Sequence, residues 1–177
     1  MKDSVAARKL TVAWPGVAKQ VLLVLAGALA LAVSARMNCS IGPVPITAQT
    51  LAVMLIGVLL GWRRGTAAVV SYLAAGAMGL PMFAYGGGVA YFAGPTGGFL
   101  VGFLPGVFVI GYLTELGWGR RGLTALAALL IGDAIIFVFG LTWIAAWFPE
   151  KFAWLMFMPG EMLKIAIAGV VLTRLRR

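Results

Sequence analysis

Long apolar runs, broken by short clusters of charge, proline and glycine, organise the whole chain. Runs of this length are read as membrane-crossing helices, because a hydrocarbon core of about 30 Å needs about 20 helical residues. The breaks predict spans near 17–35, 46–62, 65–80, 96–116, 122–147 and 158–175, in one membrane domain over residues 1–177. The third is short: it stops at Gly79-Leu80-Pro81, and about 16 residues at 1.5 Å each reach only about 24 Å. An all-α membrane protein of six transmembrane helices is the fold class expected.

Composition agrees. Hydrophobic residues make up 62% of the chain and charged residues 11%, with a mean hydropathy of +1.02, against about 25% charged residues in soluble domains. The net charge of +9 raises nucleic acid as a partner, but the basic residues sit in clusters between apolar runs and form no stripe with aromatics. Membrane topology explains them instead. The positive-inside rule places Lys2, Arg8, Lys9, Lys19, Arg63, Arg64, Arg120, Arg121, Arg174, Arg176 and Arg177 on the cytoplasmic face, leaving Arg36, Lys151 and Lys164. Both termini are then cytoplasmic. The start imitates a signal peptide, with Lys2, Arg8 and Lys9 before a run ending in Val33-Ser34-Ala35. That run exceeds the usual core of about 7–15 residues, so it is read as a retained first span.

One cysteine, Cys39, and no histidine exclude an internal disulfide, a His/Cys metal site and a histidine relay. No metal or cofactor is expected. The G-x-x-x-x-G-K-[ST] phosphate loop is also missing, so any ATP drive must come from a partner.

The candidate chemistry is sparse. The connection from Pro81 to Thr96 carries no charge yet holds Phe83, Tyr85, Tyr91 and the triple glycine Gly86-Gly87-Gly88. It reads either as a cover over a bound apolar ring system, with glycines admitting close backbone approach, or as an interfacial aromatic belt. The last span opens with Pro159-Gly160-Glu161-Met162-Leu163-Lys164, which puts Glu161 and Lys164 on one helix face. A helix start there favours a carboxylate through its dipole. A lysine facing lipid costs at least about 2.5–3.5 kcal/mol, so Lys164 should face protein, a partner or a polar ligand, unless it snorkels or merely locks onto Glu161. Asp133 is a further intramembrane charge that must be paired, hydrogen-bonded or protonated. Gln49 and Thr50 follow Pro43 and Pro45 as capping groups or pocket donors. Small residues recur at four-residue spacing as Ala26/Ala30 and Ala28/Ala32, a pattern that lets helices approach, within the bundle or against another subunit. Gly98, Gly102 and Gly106, and Gly57 with Gly61, form similar ridges suited to internal packing.

Four stretches carry a family likeness: Val44-Pro45-Ile46-Thr47-Ala48-Gln49-Thr50-Leu51, Gly79-Leu80-Pro81-Met82-Phe83-Ala84, Gly94-Pro95-Thr96-Gly97-Gly98-Phe99 and the Pro159 to Lys164 segment. In order and spacing over roughly residues 40–175 they resemble the BioY proteins, the biotin-specific S-components of energy-coupling factor (ECF) transporters. The resemblance implies a six-helix S-component bundle in the bacterial inner membrane and a biotin site open to the extracytoplasmic side. It also implies a transmembrane coupling protein and ATPase subunits as partners, docking on the small residues Ala26, Ala28, Ala30 and Ala32 of the first helix. Biotin's ureido group would meet Glu161 and Lys164, or Lys164 would pair with the valerate carboxylate. Phe83, Tyr85, Gly86, Gly87, Gly88, Tyr91, Gln49 and Asp133 complete the expected binding set. Glu161 departs from the family pattern, which carries Asp there, so its carboxylate reaches one methylene further. The chain is then a binding subunit and not an enzyme. The alternatives are an S-component for another small vitamin, an intramembrane enzyme using Asp133 or Glu161 as acid or base, and a purely structural subunit.

Overall fold

Helices and closed barrels alone satisfy a backbone inside lipid, and continuous apolar runs without the alternation of barrel strands leave the helix. The computed structural model describes residues 3–39, 45–120, 122–147 and 153–174. The order is α1 (Asp3–Arg36), β1 (Asn38–Cys39), β2 (Ile46–Thr47), α2 (Gln49–Ala77), a single turn α3 (Ala90–Ala93), α4 (Gly97–Glu115), a 3₁₀ turn (Trp118–Arg120), α5 (Gly122–Trp147) and α6 (Ala153–Arg174). The strands pair antiparallel, Asn38 opposite Thr47 and Cys39 opposite Ile46. Among the described residues, α1 over Gly16–Arg36, α2, α4 and α5 (over Leu123–Trp147) are long and apolar enough to cross a membrane.

α2 does not run straight. Gly61 inside it has φ 73° and ψ −179°, a region open essentially to glycine alone. Gln49 and Tyr72 would lie roughly 34 Å apart along a straight helix, yet their side chains are hydrogen-bonded at 2.6 Å. The chain therefore folds back at Gly61 into two antiparallel arms. Glu115, at the end of α4, seals the turn by accepting a hydrogen bond from the Trp62 backbone N–H at 3.2 Å. Arg63 and Arg64 thus sit at the start of the second arm, and Arg63 lies over the Trp62 ring.

The core is built by close approach. Gly98, Gly102 and Gly106 of α4 face Trp143, Phe139 and Ile136 of α5 so tightly that a Cβ would collide at Gly98 and Gly106 and would be crowded at Gly102, and Gly57 meets Ile110 of α4 closely enough for a Cβ to collide. Helix packing in lipid depends on such small-residue contacts, because lipid tails leave little hydrophobic drive between helices. The two small-residue pairs of α1 separate. Ala28 is buried and Ala32 half-buried against α2, whereas Ala26 and Ala30 face outward beside Leu22, Leu29 and Val33.

The last helix corrects one expectation. α6 begins at Ala153, so Pro159 lies inside it and Glu161 lies well beyond its first turn. The proline forfeits one backbone hydrogen bond without ending the helix. The helix dipole therefore does not hold Glu161, and its partners have to come from other elements. Lys2, Gly42, Pro43, Arg121, Lys151, Arg176 and Arg177 lie outside the described residues.

A side chain at Gly61 forces both a disfavoured backbone and an overlap with Glu115. Gly61→Ala should destabilise the protein by about 1–3 kcal/mol, lowering its melting temperature in detergent. Gly169→Ala, inside α6 where a Cβ meets nothing within 4 Å, is the control and should not lower melting, since alanine favours a helix over glycine. Equal melting of both variants would contradict the folded-back turn.

Candidate functional site

The start of α2, strand β2, the loop before α4 and the first half of α6 converge at one end of the helices. Lys164 reaches across this junction. Its Nζ donates to the Thr47 backbone carbonyl at 2.6 Å, to Thr50 Oγ1 at 3.0 Å and to Glu161 Oε1 at 2.5 Å. Thr50 Oγ1 in turn donates to Glu161 Oε2 at 2.8 Å. An ammonium has three donors, and here all three are used. The ion pair is withdrawn from solvent, with side chains 13% and 7% exposed for Lys164 and Glu161. A second polar chain runs beside it: Thr47 Oγ1 donates to Gln49 Oε1 at 3.2 Å, and Gln49 Nε2 donates to Tyr72 Oη.

Thr47, Gln49, Thr50, Glu161 and Lys164 line a cavity of about 40 Å³ whose remaining wall includes Phe83, Tyr91, Phe99, Phe103 and Phe137, while Tyr72 stands behind Gln49. Phe83 is the anchor of that wall. Fully buried, it packs edge-on to Tyr72 and Phe92 and lies tilted against Tyr91 at 4.8 Å between centroids. The loop carrying it is pinned from two sides, by Arg36 Nη2 donating to the Pro81 carbonyl at 2.6 Å and by Trp143 Nε1 donating to the Gly94 carbonyl at 2.9 Å.

Of the residues singled out in the sequence, Glu161, Lys164, Gln49, Phe83 and Tyr91 meet in this cavity. Others do not. Tyr85 is exposed, and Gly86, Gly87 and Gly88 shape the loop against the end of α2, where the Gly88 N–H donates to the Gly76 carbonyl at 2.7 Å. Asp133 is buried on α5 and lines a separate cavity on the far side of Glu161. Sequence reasoning left Thr50 undecided and passed over Thr47 and Tyr72. The available signals were polarity, since each is a hydroxyl residue next to or inside an apolar run, in a medium where such groups need partners, and for Thr47 and Thr50 their place in a stretch carrying the family likeness.

An aromatic wall facing a carboxylate, an ammonium and hydroxyl groups is suited to hold a small molecule that has a flat apolar body and a hydrogen-bonding edge. The fold and site thus define a multi-pass helical membrane protein with a cavity suited to such a molecule at one end of its helices. Comparison with known proteins gives the family. The BioY family model matches residues 2–177. The chain is 42% identical to the biotin transporter BioY of Rhizobium etli over 85% of this chain and 89% of that protein. It is 36% identical to a probable biotin transporter BioY of Pyrococcus horikoshii over 90% and 97%. A crystal structure of the S-component for biotin from an ECF-type ABC transporter superposes with a TM-score of 0.82 at 28% identity, covering 92% of this chain and 93% of that one. This chain belongs to the BioY family.

Removing one member of a buried ion pair strands the other, at a cost of about 3–5 kcal/mol. Lys164→Met should therefore lower stability sharply, and adding Glu161→Gln should recover part of the loss, as read by denaturant unfolding of the purified protein. A double variant no more stable than Lys164→Met would show that the pair is not electrostatically coupled.

Proposed function

We propose that this protein is the substrate-binding membrane subunit for biotin uptake, capturing the vitamin at the Glu161–Lys164–Thr50 cluster. The observation that carries the proposal is that cluster itself, a buried carboxylate and ammonium side by side behind an aromatic wall, in a chain of the BioY family. Biotin's ureido ring offers two N–H donors and one carbonyl acceptor, which Glu161 and Lys164 complement. The fused rings lie against Phe83 and Tyr91, with Gln49 and Thr50 as further polar contacts. The other orientation pairs Lys164 with the valerate carboxylate.

Six spans and cytoplasmic termini fit the folded-back α2, which carries Arg63 and Arg64 at the turn opposite the site. The site then opens outward, on the extracytoplasmic side of the bacterial inner membrane. Delivery inward requires an ATP-driven ECF module, consisting of a transmembrane coupling protein and its ATPase subunits. The outward-facing Ala26 and Ala30 offer that module a close-packing surface, since Ala28 and Ala32 already pack toward α2.

A cavity of about 40 Å³ is far below the roughly 300–1,000 Å³ of small-molecule pockets. Binding therefore has to widen the cavity, and in this proposal it does so by parting the Thr47–Lys164 link, which joins β2 to α6, and lifting the aromatic loop. Purified protein should bind labelled biotin, and Lys164→Ala should weaken binding at least tenfold, about 1.4 kcal/mol. Unchanged affinity removes Lys164 from the site, and displacement of the label by an unlabelled vitamin other than biotin reassigns the substrate.

A further inference from the structure

Beyond Glu161, α5 and α6 flank a second, open-sided cavity of about 500 Å³, within the range of small-molecule pockets. Its walls are apolar, formed by Leu130, Ala134, Val138 and Leu141 of α5 with Met162 and Ile165 of α6. Leu130, Val138 and Met162 are also strongly exposed, so the cavity opens sideways between the two helices, toward lipid. One group is out of keeping with these walls. Asp133 lines the cavity, is only 8% exposed, and its Oδ1 has no hydrogen-bond partner among the described residues. Lys164 does not serve it, because its three donors go to Thr47, Thr50 and Glu161.

An unserved carboxyl oxygen in a lipid-facing cleft calls for a ligand that brings its own donor and is otherwise apolar. Asp133 lies roughly 16 Å along the helix from the start of α5 and roughly 21 Å from its end. A phospholipid headgroup at either surface is too far away, which favours a molecule that enters the hydrocarbon whole. Of the possible donors, an ammonium makes the stronger, charge-assisted bond to a carboxylate. We propose that the α5–α6 cleft is a second binding site, for a single-chain amphiphile with a cationic amine head. The head sits on Asp133, and the alkyl chain lies along Leu130, Val138 and Met162. The two cavities share only Glu161 and Phe137 as walls, and the proposal holds whichever vitamin the first one takes.

The test uses the full chain in lipid nanodiscs with a photoreactive diazirine derivative of dodecylamine, mapping the labelled residues by mass spectrometry. Expected is saturable labelling on Leu130, Ala134, Val138 or Met162. Unlabelled dodecylamine should reduce it at least tenfold, while dodecane and dodecan-1-ol should not. Labelling of the outer face of α1, at Leu22 and Leu29, should be non-saturable. Asp133→Asn, and Ala134→Phe, which fills the cleft, should each lower the saturable labelling at least tenfold. Labelling of the cleft that dodecylamine fails to displace, or that matches α1 in kind, overturns the site. Equal displacement by dodecan-1-ol overturns the cationic head. Both of these outcomes are measured on the wild-type protein alone, so they hold even if a variant fails to fold.

Discussion

The ammonium of Lys164 holds together parts of the chain that apolar packing alone would not orient. Through its bonds to Thr47, Thr50 and Glu161 it ties α6 to strand β2 and to the start of α2. A lysine turned toward lipid would cost at least about 2.5–3.5 kcal/mol, so the rotation of α6 about its axis is constrained by one residue. Contacts elsewhere in the bundle, such as the glycine ridge of α4 on α5, are close but chemically uniform. Buried ionic groups contribute little net stability compared with well-packed apolar ones. Their contribution here is register, and with it a site.

The same saturation shapes the mechanism. Every Lys164 donor is engaged within the protein, and both Glu161 oxygens are occupied. In the proposed site a ligand's acceptor reaches the ammonium only by replacing one of these partners, so affinity there is the difference between two sets of hydrogen bonds. That exchange discriminates strongly, because a molecule lacking a matching donor or acceptor leaves buried polar groups unpaired. In the same proposal the aromatic loop opens as well. Its two pins, Arg36 to Pro81 and Trp143 to Gly94, bond only to backbone carbonyls and connect it to the ends of α1 and α5.

The helices themselves were legible, because apolar runs long enough to cross lipid have no competing structure there. Local punctuation was less so. Arg63 and Arg64 marked the second connection in the sequence, but the chain reverses at Gly61, where backbone conformation and not charge decides. Pro159 resembled a helix start and lies inside α6, because a missing N–H costs one bond and the helix continues on both sides. Glu161 and Lys164 stood out because charge is rare in such a chain. Their partners Thr47 and Thr50 are more than a hundred positions away, and no spacing rule links residues so far apart. The paired strands flanking residues 40–44 escaped notice because two residues per strand leave no alternation to read.

A structure of the protein with biotin bound tests the central claim most directly. Expected is the ureido ring within about 3 Å of the Glu161 carboxylate, or the valerate carboxylate on the Lys164 ammonium, with the Thr47–Lys164 bond parted and Phe83 and Tyr91 against the fused rings. Biotin held elsewhere, with the four polar groups still bonded to one another, would contradict it.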